Sequence, residues 1–365
     1  MRLKMPIFYS TTHSQKKQSA QASLVPVSLR SKSQKCSLIL LGACIPSVAL
    51  ADLKPWLNVV SPEPQFSLDF GANYGVRSGE FRWHVGSAGS APNILSELEY
   101  QGLEFSEYRL YARLSVNQGR LKHWQIDTQL SNASAERGTA IDSDYQQNHR
   151  EGMYRRSTSD LGGSTSRSQN LSLGYRITPS SLVDWPVLQK FSESSQFTVI
   201  PSIGWVFSEQ TLKMTQGTQT FATPERGEVL GRFTEALNSV YEASWNGAAF
   251  GMVGQIEGNQ QTLRIGYQQI FARFRAVADW NLRTDFQHPR SFSHAANATA
   301  SHLNLDYQWH VNERWAINLR WFHERWISNT GTDTVYLASG ERVRSRLGEA
   351  GWRSTGYNLG MQMRF

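Results

Sequence analysis

Residues 355–365 read Thr-Gly-Tyr-Asn-Leu-Gly-Met-Gln-Met-Arg-Phe. On an extended chain, successive side chains point to opposite sides. Tyr357, Leu359, Met361, Met363 and Phe365 therefore share one face. The same period of two recurs elsewhere. Phe197, Val199, Pro201, Ile203, Trp205 and Phe207 alternate with mainly polar or small residues. Trp315, Ile317, Leu319, Trp321 and His323 stand opposite Ala316, Asn318, Arg320 and Phe322, and Leu171 and Leu173 alternate with Ser172 and Gly174. Segments of about ten residues, apolar on one face and polar on the other, are what a strand needs to pass between lipid and a polar lumen. No stretch after residue 51 approaches the roughly 18 apolar residues of a membrane helix. The mean hydropathy of −0.45 does not argue against a barrel, because only alternate residues face lipid.

The first 51 residues differ from the rest. They hold seven basic side chains (Arg2, Lys4, Lys16, Lys17, Arg30, Lys32 and Lys35) and no acidic ones. Taking these seven from the chain's 37 basic residues leaves thirty, against 30 acidic. The net charge of +7 thus belongs to the leader, and the body carries no electrostatic footprint for nucleic acid. An apolar run from Leu38 to about Leu50 ends in Ala49-Leu50-Ala51, a signal-peptide pattern. Leu41-Gly42-Ala43-Cys44 offers a competing lipoprotein site. The expected organisation is a signal peptide over 1–51 and one barrel domain over 52–365. Both cysteines, Cys36 and Cys44, lie in the leader, so the body has neither disulfides nor thiolate metal sites.

Ten strand segments follow, near 65–82, 96–117, 121–133, 167–178, 196–215, 244–257, 262–282, 302–312, 314–328 and 353–365. Short links near 118–120, 258–261 and 313 alternate with long ones near 83–95, 134–166, 216–243, 283–301 and 329–352. The link 179–195 is intermediate and contains Pro179 and Pro186. Short periplasmic turns and long outer loops are the outer-membrane arrangement. A soluble β-sandwich also alternates, but a leader, a terminal aromatic and 12 Trp with 13 Tyr, enough for two interfacial girdles, favour the barrel. The expected fold is a ten-stranded antiparallel transmembrane barrel in the outer membrane of a Gram-negative bacterium.

Two clusters could carry chemistry. Asp142-Ser143-Asp144 places two carboxylates on one side of an extended segment. They repel, so one keeps its proton to higher pH, and together they are able to hold a water. Asp285-Phe286-Gln287-His288 puts a carboxylate near an imidazole, the makings of an oriented general base. Taken alone, either motif also reads as ordinary loop chemistry. Phosphate-binding glycine loops, helical zinc motifs and nucleophile elbows are absent.

The order of these pieces resembles the omptin family of outer-membrane endopeptidases. That family carries Val/Ile-Asp-x-Asp-Trp/Tyr in its second outer loop, matched here by Ile141-Asp142-Ser143-Asp144-Tyr145. It carries an Asp-x-His pair in its fourth outer loop after a strand with a Trp, where this chain has Trp280, then Asp285 and His288. The resemblance implies that Asp142 and Asp144 flank an attacking water, that His288 is the base and Asp285 its orienting acid, and that Glu80 helps take a basic substrate side chain. The spacing departs from the pattern. Residues three apart on a strand face opposite sides, so Asp285 and His288 need a bulge or turn to meet. Aligned on His288, the family's acidic positions fall at Phe286 and Thr284; His294 is the alternative base.

The leading expectation is an omptin-like endopeptidase with no metal and no cofactor, acting as a monomer on peptide or protein. The rival is a non-catalytic barrel of the same fold, an adhesin or structural protein. A channel is a third class, disfavoured because ten strands enclose a narrow lumen. The resemblance also implies dependence on lipopolysaccharide, with Arg109, Arg264 and Arg273 as candidates for its phosphates.

Overall fold

The computed structural model describes residues 65–87, 89, 91–179 and 195–365. The expected leader over 1–51 lies outside the described residues. The strands are β1 (Phe66–Gly86), β2 (Ser96–Val116), β3 (Trp124–Tyr145), β4 (Met153–Asp160), β5 (Thr165–Tyr175), β6 (Gln196–Ala222), β7 (Gly231–Arg232), β8 (Asn238–Glu257), β9 (Gln261–Asp279), β10 (Phe292–His310), β11 (Trp315–Ser328), β12 (Gly331–Tyr336) and β13 (Arg342–Arg364). β4 and β5 both pair with β3 and β6, and so occupy one position in the wall. β11 and β12 likewise share one position between β10 and β13. The two-residue β7 only extends the edge of β6. Ten antiparallel positions result, and the ring closes where β1 pairs with β13, from Asp69↔Arg364 to Gly86↔Arg346. Closure leaves no unpaired strand edge, which a bilayer demands. Among the described residues no helix is long and apolar enough to cross a membrane.

The short links after β2, β8 and β10 lie at the same end as Phe66 and Arg364. This end is periplasmic and the opposite end is the outer mouth. All ten expected segments are present, but the strands run further toward the mouth than expected. Residues 134–145, 216–222, 238–243, 292–301, 331–336 and 342–352 are strand rather than loop.

The reason is a change of phase. In the periplasmic half of β1, Leu68, Phe70, Tyr74 and Val76 point outward, and Arg77 turns inward. Further up, Phe81 and Trp83 point inward and are buried. The wall thus passes from a membrane barrel, apolar outside, to a water-exposed barrel, apolar inside. An aromatic layer fills the upper lumen. Trp245 lies 4.3 Å from Phe274 between ring centroids, and Trp83 stacks on Tyr241 at 5.7 Å. Phe81, Tyr100, Trp326 and Trp352 join them, each at 1% exposure or less.

The candidate site at the outer mouth

Asp142 and Asp144 stand at the top of β3. Their strand partners are Leu98 and Ser96 on β2, and Ser157 and Arg155 on β4. Leu98 is fully buried against the lumen, and directly opposed residues share a face. Both aspartates therefore point inward, half-buried, one step above Tyr100 in the aromatic layer. Burial raises the Asp142 carboxyl to about 7, and the adjacent Asp144 charge adds to the rise; Arg155 and Arg283 oppose it. Asp144 is also raised, chiefly by burial, against Arg155, a hydrogen bond from Ser96, and Arg283. Two like charges in one dry site favour a proton on one of them. Arg155 is itself held by Glu228 at 3.4 Å, from the loop after β6.

The connection between β9 and β10 supplies the other expected pair, but not in the expected arrangement. Asp285 is not the partner of His288. The Arg283 guanidinium forks onto Asp285, donating from Nε at 2.8 Å and Nη2 at 2.7 Å, and stacks over Phe286 at 4.0 Å. These bonds hold the Asp285 carboxyl below its usual range. The turn that brings the Phe286 amide onto the Arg283 carbonyl fixes Asp285 on this arginine. His288 instead faces Asp279, the last residue of β9, with Nδ1 at 2.5 Å from Oδ1. Its Nε2 lies 3.2 Å from the Arg283 carbonyl oxygen. Both ring nitrogens thus face acceptors. Asp279 follows the lumen-facing Ala278, so the dyad starts from the outward parity of β9. The side chain from this connection whose charge reaches both Asp142 and Asp144 is Arg283.

Glu80 is not in the mouth. Phe81 turns inward, so Glu80 turns outward, and there it accepts from Arg353 at 2.7 Å while both stay exposed. His294 does face the lumen, sealed at 0% side-chain exposure. Its Nδ1 meets the Tyr241 hydroxyl at 2.8 Å, its Nε2 lies 3.3 Å from Asp333, and Trp83 packs on the ring at 4.9 Å. Of the three lipopolysaccharide candidates, Arg109 and Arg264 are buried in the lumen, where the parity of β2 and β9 directs them; Arg273 is outward and exposed.

Sequence reasoning missed Asp279, Arg283, Arg155 and Asp333. Asp279 sits nine residues before His288, beyond the reach of a short motif. Among the described residues no group of three metal-ligating side chains comes together.

The comparisons agree with this architecture. The family model described as Protochlamydia outer membrane protein matches residues 71–365. The outer membrane protease OmpT from Escherichia coli superposes with a TM-score of 0.65 at 11% identity, covering 82% of this chain and 97% of that one. At this identity the likeness shows the fold alone. A TodX monoaromatic hydrocarbon channel mutant reaches a TM-score of only 0.22 at 7% identity, covering 81% of this chain and 90% of that one. A Pseudomonas aeruginosa FadL homologue reaches 0.19 at 6%, covering 82% and 90%. Neither of these two carries an argument. The search of curated proteins found no match.

Proposed function

This chain belongs to the Protochlamydia outer membrane protein family, and on that premise we propose that it is a non-catalytic surface barrel of the outer membrane, an adhesin or structural protein with an omptin-like fold. One observation carries the reading. The Arg283 guanidinium, which forks onto Asp285, is the group of the fourth outer connection whose charge reaches Asp142 and Asp144, while the His288 imidazole is turned to Asp279. A guanidinium cannot take a proton from water. The only histidine of that connection has both nitrogens against acceptors. The aromatic layer fills the lumen beneath the aspartates, which argues against a channel.

A second reading is an omptin-like endopeptidase. It is favoured by the Asp142–Asp144 pair, whose raised titration suits holding and polarising a water near neutral pH. In that reading Asp279, not Asp285, orients His288 as base, water attacks a peptide carbonyl, and lipopolysaccharide is required for activity.

Purified barrel reconstituted with lipopolysaccharide and offered fluorogenic peptides with dibasic sites separates the two. The first reading expects no cleavage by the folded parent. Cleavage that is lost in Asp142→Ala, His288→Ala and Asp279→Ala, but kept in Asp285→Ala, establishes the endopeptidase.

A further inference from the structure

The outer end of β13 carries an exposed row of arginines. Arg342, Arg344 and Arg346 alternate with Val343 and Ser345, and all three arginines are exposed. Their partners on β12 are Tyr336, Thr334 and Thr332. Asp333, between those threonines, turns inward to His294 and Ser345, so the row faces outward. Arg290, exposed just before β10, joins it. Its guanidinium lies 4.3 Å from the Tyr336 ring centroid, and that of Arg342 lies 5.5 Å from the same ring. The shared ring restrains both cations before any ligand arrives. The other arginines of this wall are matched: Arg82 holds Glu349, and Arg353 holds Glu80. Arg346 reaches the Thr330 hydroxyl at 3.5 Å and Arg290 the Ser293 hydroxyl at 3.4 Å; none of the four joins an ion pair among the described residues. Glu341, exposed at the turn, sets one acid against four cations.

Position and chemistry choose the occupant. Above the lipid-facing Tyr357, Arg353 is the first outward charge of β13; Arg346 lies seven residues beyond it and Arg342 eleven. At about 3.3 Å per residue and a tilt of about 40°, the row stands roughly 18–28 Å above that first charge. This exceeds two Debye lengths of about 8 Å, so anionic lipid of the protein's own membrane is out of reach. Tyr336 is 8% exposed beneath the arginines, so no ring is offered to stack a nucleobase. A strand spaces its same-face charges about 6.6 Å apart in a line, which suits a linear chain of anionic groups. We propose that this rim is a binding site for a linear acidic polysaccharide, its sulfate or carboxylate groups held in the forks of Arg342, Arg344 and Arg346, with Arg290 at one end. The proposal names a partner for the surface-barrel reading but stands on the row alone: peptide cleavage at the mouth strikes that reading and leaves the row in place.

The full chain in detergent, titrated by calorimetry with size-defined fragments of heparin and of polygalacturonate, tests this, with neutral dextran as the control. Saturable binding of at least one acidic chain is expected, weakening as salt is raised, and none of dextran. Arg342→Gln, Arg344→Gln and Arg346→Gln combined should weaken it roughly tenfold or more. Arg82→Gln, Arg137→Gln and Arg353→Gln combined remove the same charge from exposed, paired arginines and should change it less than about threefold. Parental unfolding temperatures in both combinations show that the barrel is intact. No binding of either acidic chain by the parent, or equal losses in the two combinations, would overturn the proposal. So would tighter binding of lipopolysaccharide micelles or single-stranded DNA through the same three arginines.

Discussion

The two halves of this barrel solve opposite problems with one wall. In the periplasmic half the outside is apolar and the inside holds buried ion pairs, such as Arg77 between Glu107 and Glu324. In the outer half the inside is aromatic and the outside carries exposed charge, such as Glu80 with Arg353. The backbone and its hydrogen bonds continue through both, so solvent alone sets the direction of each alternation. Lipid gives no drive to bury rings, so the lower half is filled by matched charges. Water does, so the upper half is filled like a soluble core. The candidate site sits on top of that core, and its aspartates are dry enough to resist ionisation because of it.

Truncating one large ring in each half should expose the difference most clearly. Trp245→Ala removes a fully buried indole that packs on Phe274 and Trp326 and donates to Gln210 at 2.9 Å. A loss of about 3–5 kcal/mol is expected in urea unfolding of the purified barrel. Tyr357→Ala removes an outward ring of the lower half that is 58% exposed to the lipid side, and should cost far less. Equal losses would break the distinction between the halves.

Most of the lower half was legible in the sequence and little of the upper half was. Tyr357, Leu359 and Met361 announce a lipid-facing strand because their neighbours are Asn358, Gly360 and Gln362. Above the membrane the apolar face moves to the lumen and is often alanine, as in Ala276 and Ala278, so the periodic signal fades although the strand goes on. That is why Asp142 and Asp144 read as loop residues. Glu80 was misplaced for a related reason: it keeps the outward parity of Val76, but beyond Arg77 the outward face has become the polar one and the lumen face the apolar one. The aspartate pair was legible because its chemistry lies in one strand at a spacing of two. The Asp279–His288 contact was not, because a folded connection of nine positions makes it, and Arg283 claims the carboxylate that the local motif offered.

A smaller effect sharpens the comparison at the mouth itself. Burial and Asp144 raise the Asp142 carboxyl above its unfolded value, so the folded state prefers that site protonated. A carboxyl raised on folding stabilises the fold fully only below its unfolded titration; stability from this site should therefore be greatest below about pH 4, fall as pH rises from about 4 to about 7, and level off above that. Asp142→Asn should remove most of this slope, leaving the variant more stable than the parent at pH 8 by on the order of 1–3 kcal/mol and similar to it only below about pH 4. Parallel pH profiles for the two proteins would mean that the pair is open to water and does not share the dryness of the core beneath it.

The smallest effect belongs to the outward charges of the upper half. Glu80 and Arg353 are both more than half exposed at 55% and 59%, so the 2.7 Å pair competes with water and salt. Such pairs contribute about 0–1 kcal/mol. Glu80→Gln should change the unfolding free energy by less than about 1 kcal/mol and lose even that in high salt. If dibasic peptides are cleaved by the parent, Glu80→Gln should leave the preference for basic side chains intact, because the carboxylate lies on the outer wall, across the strand from the lumen. A change of specificity in that variant would place substrate against the outside of the barrel and undo the assignment of the mouth as the site.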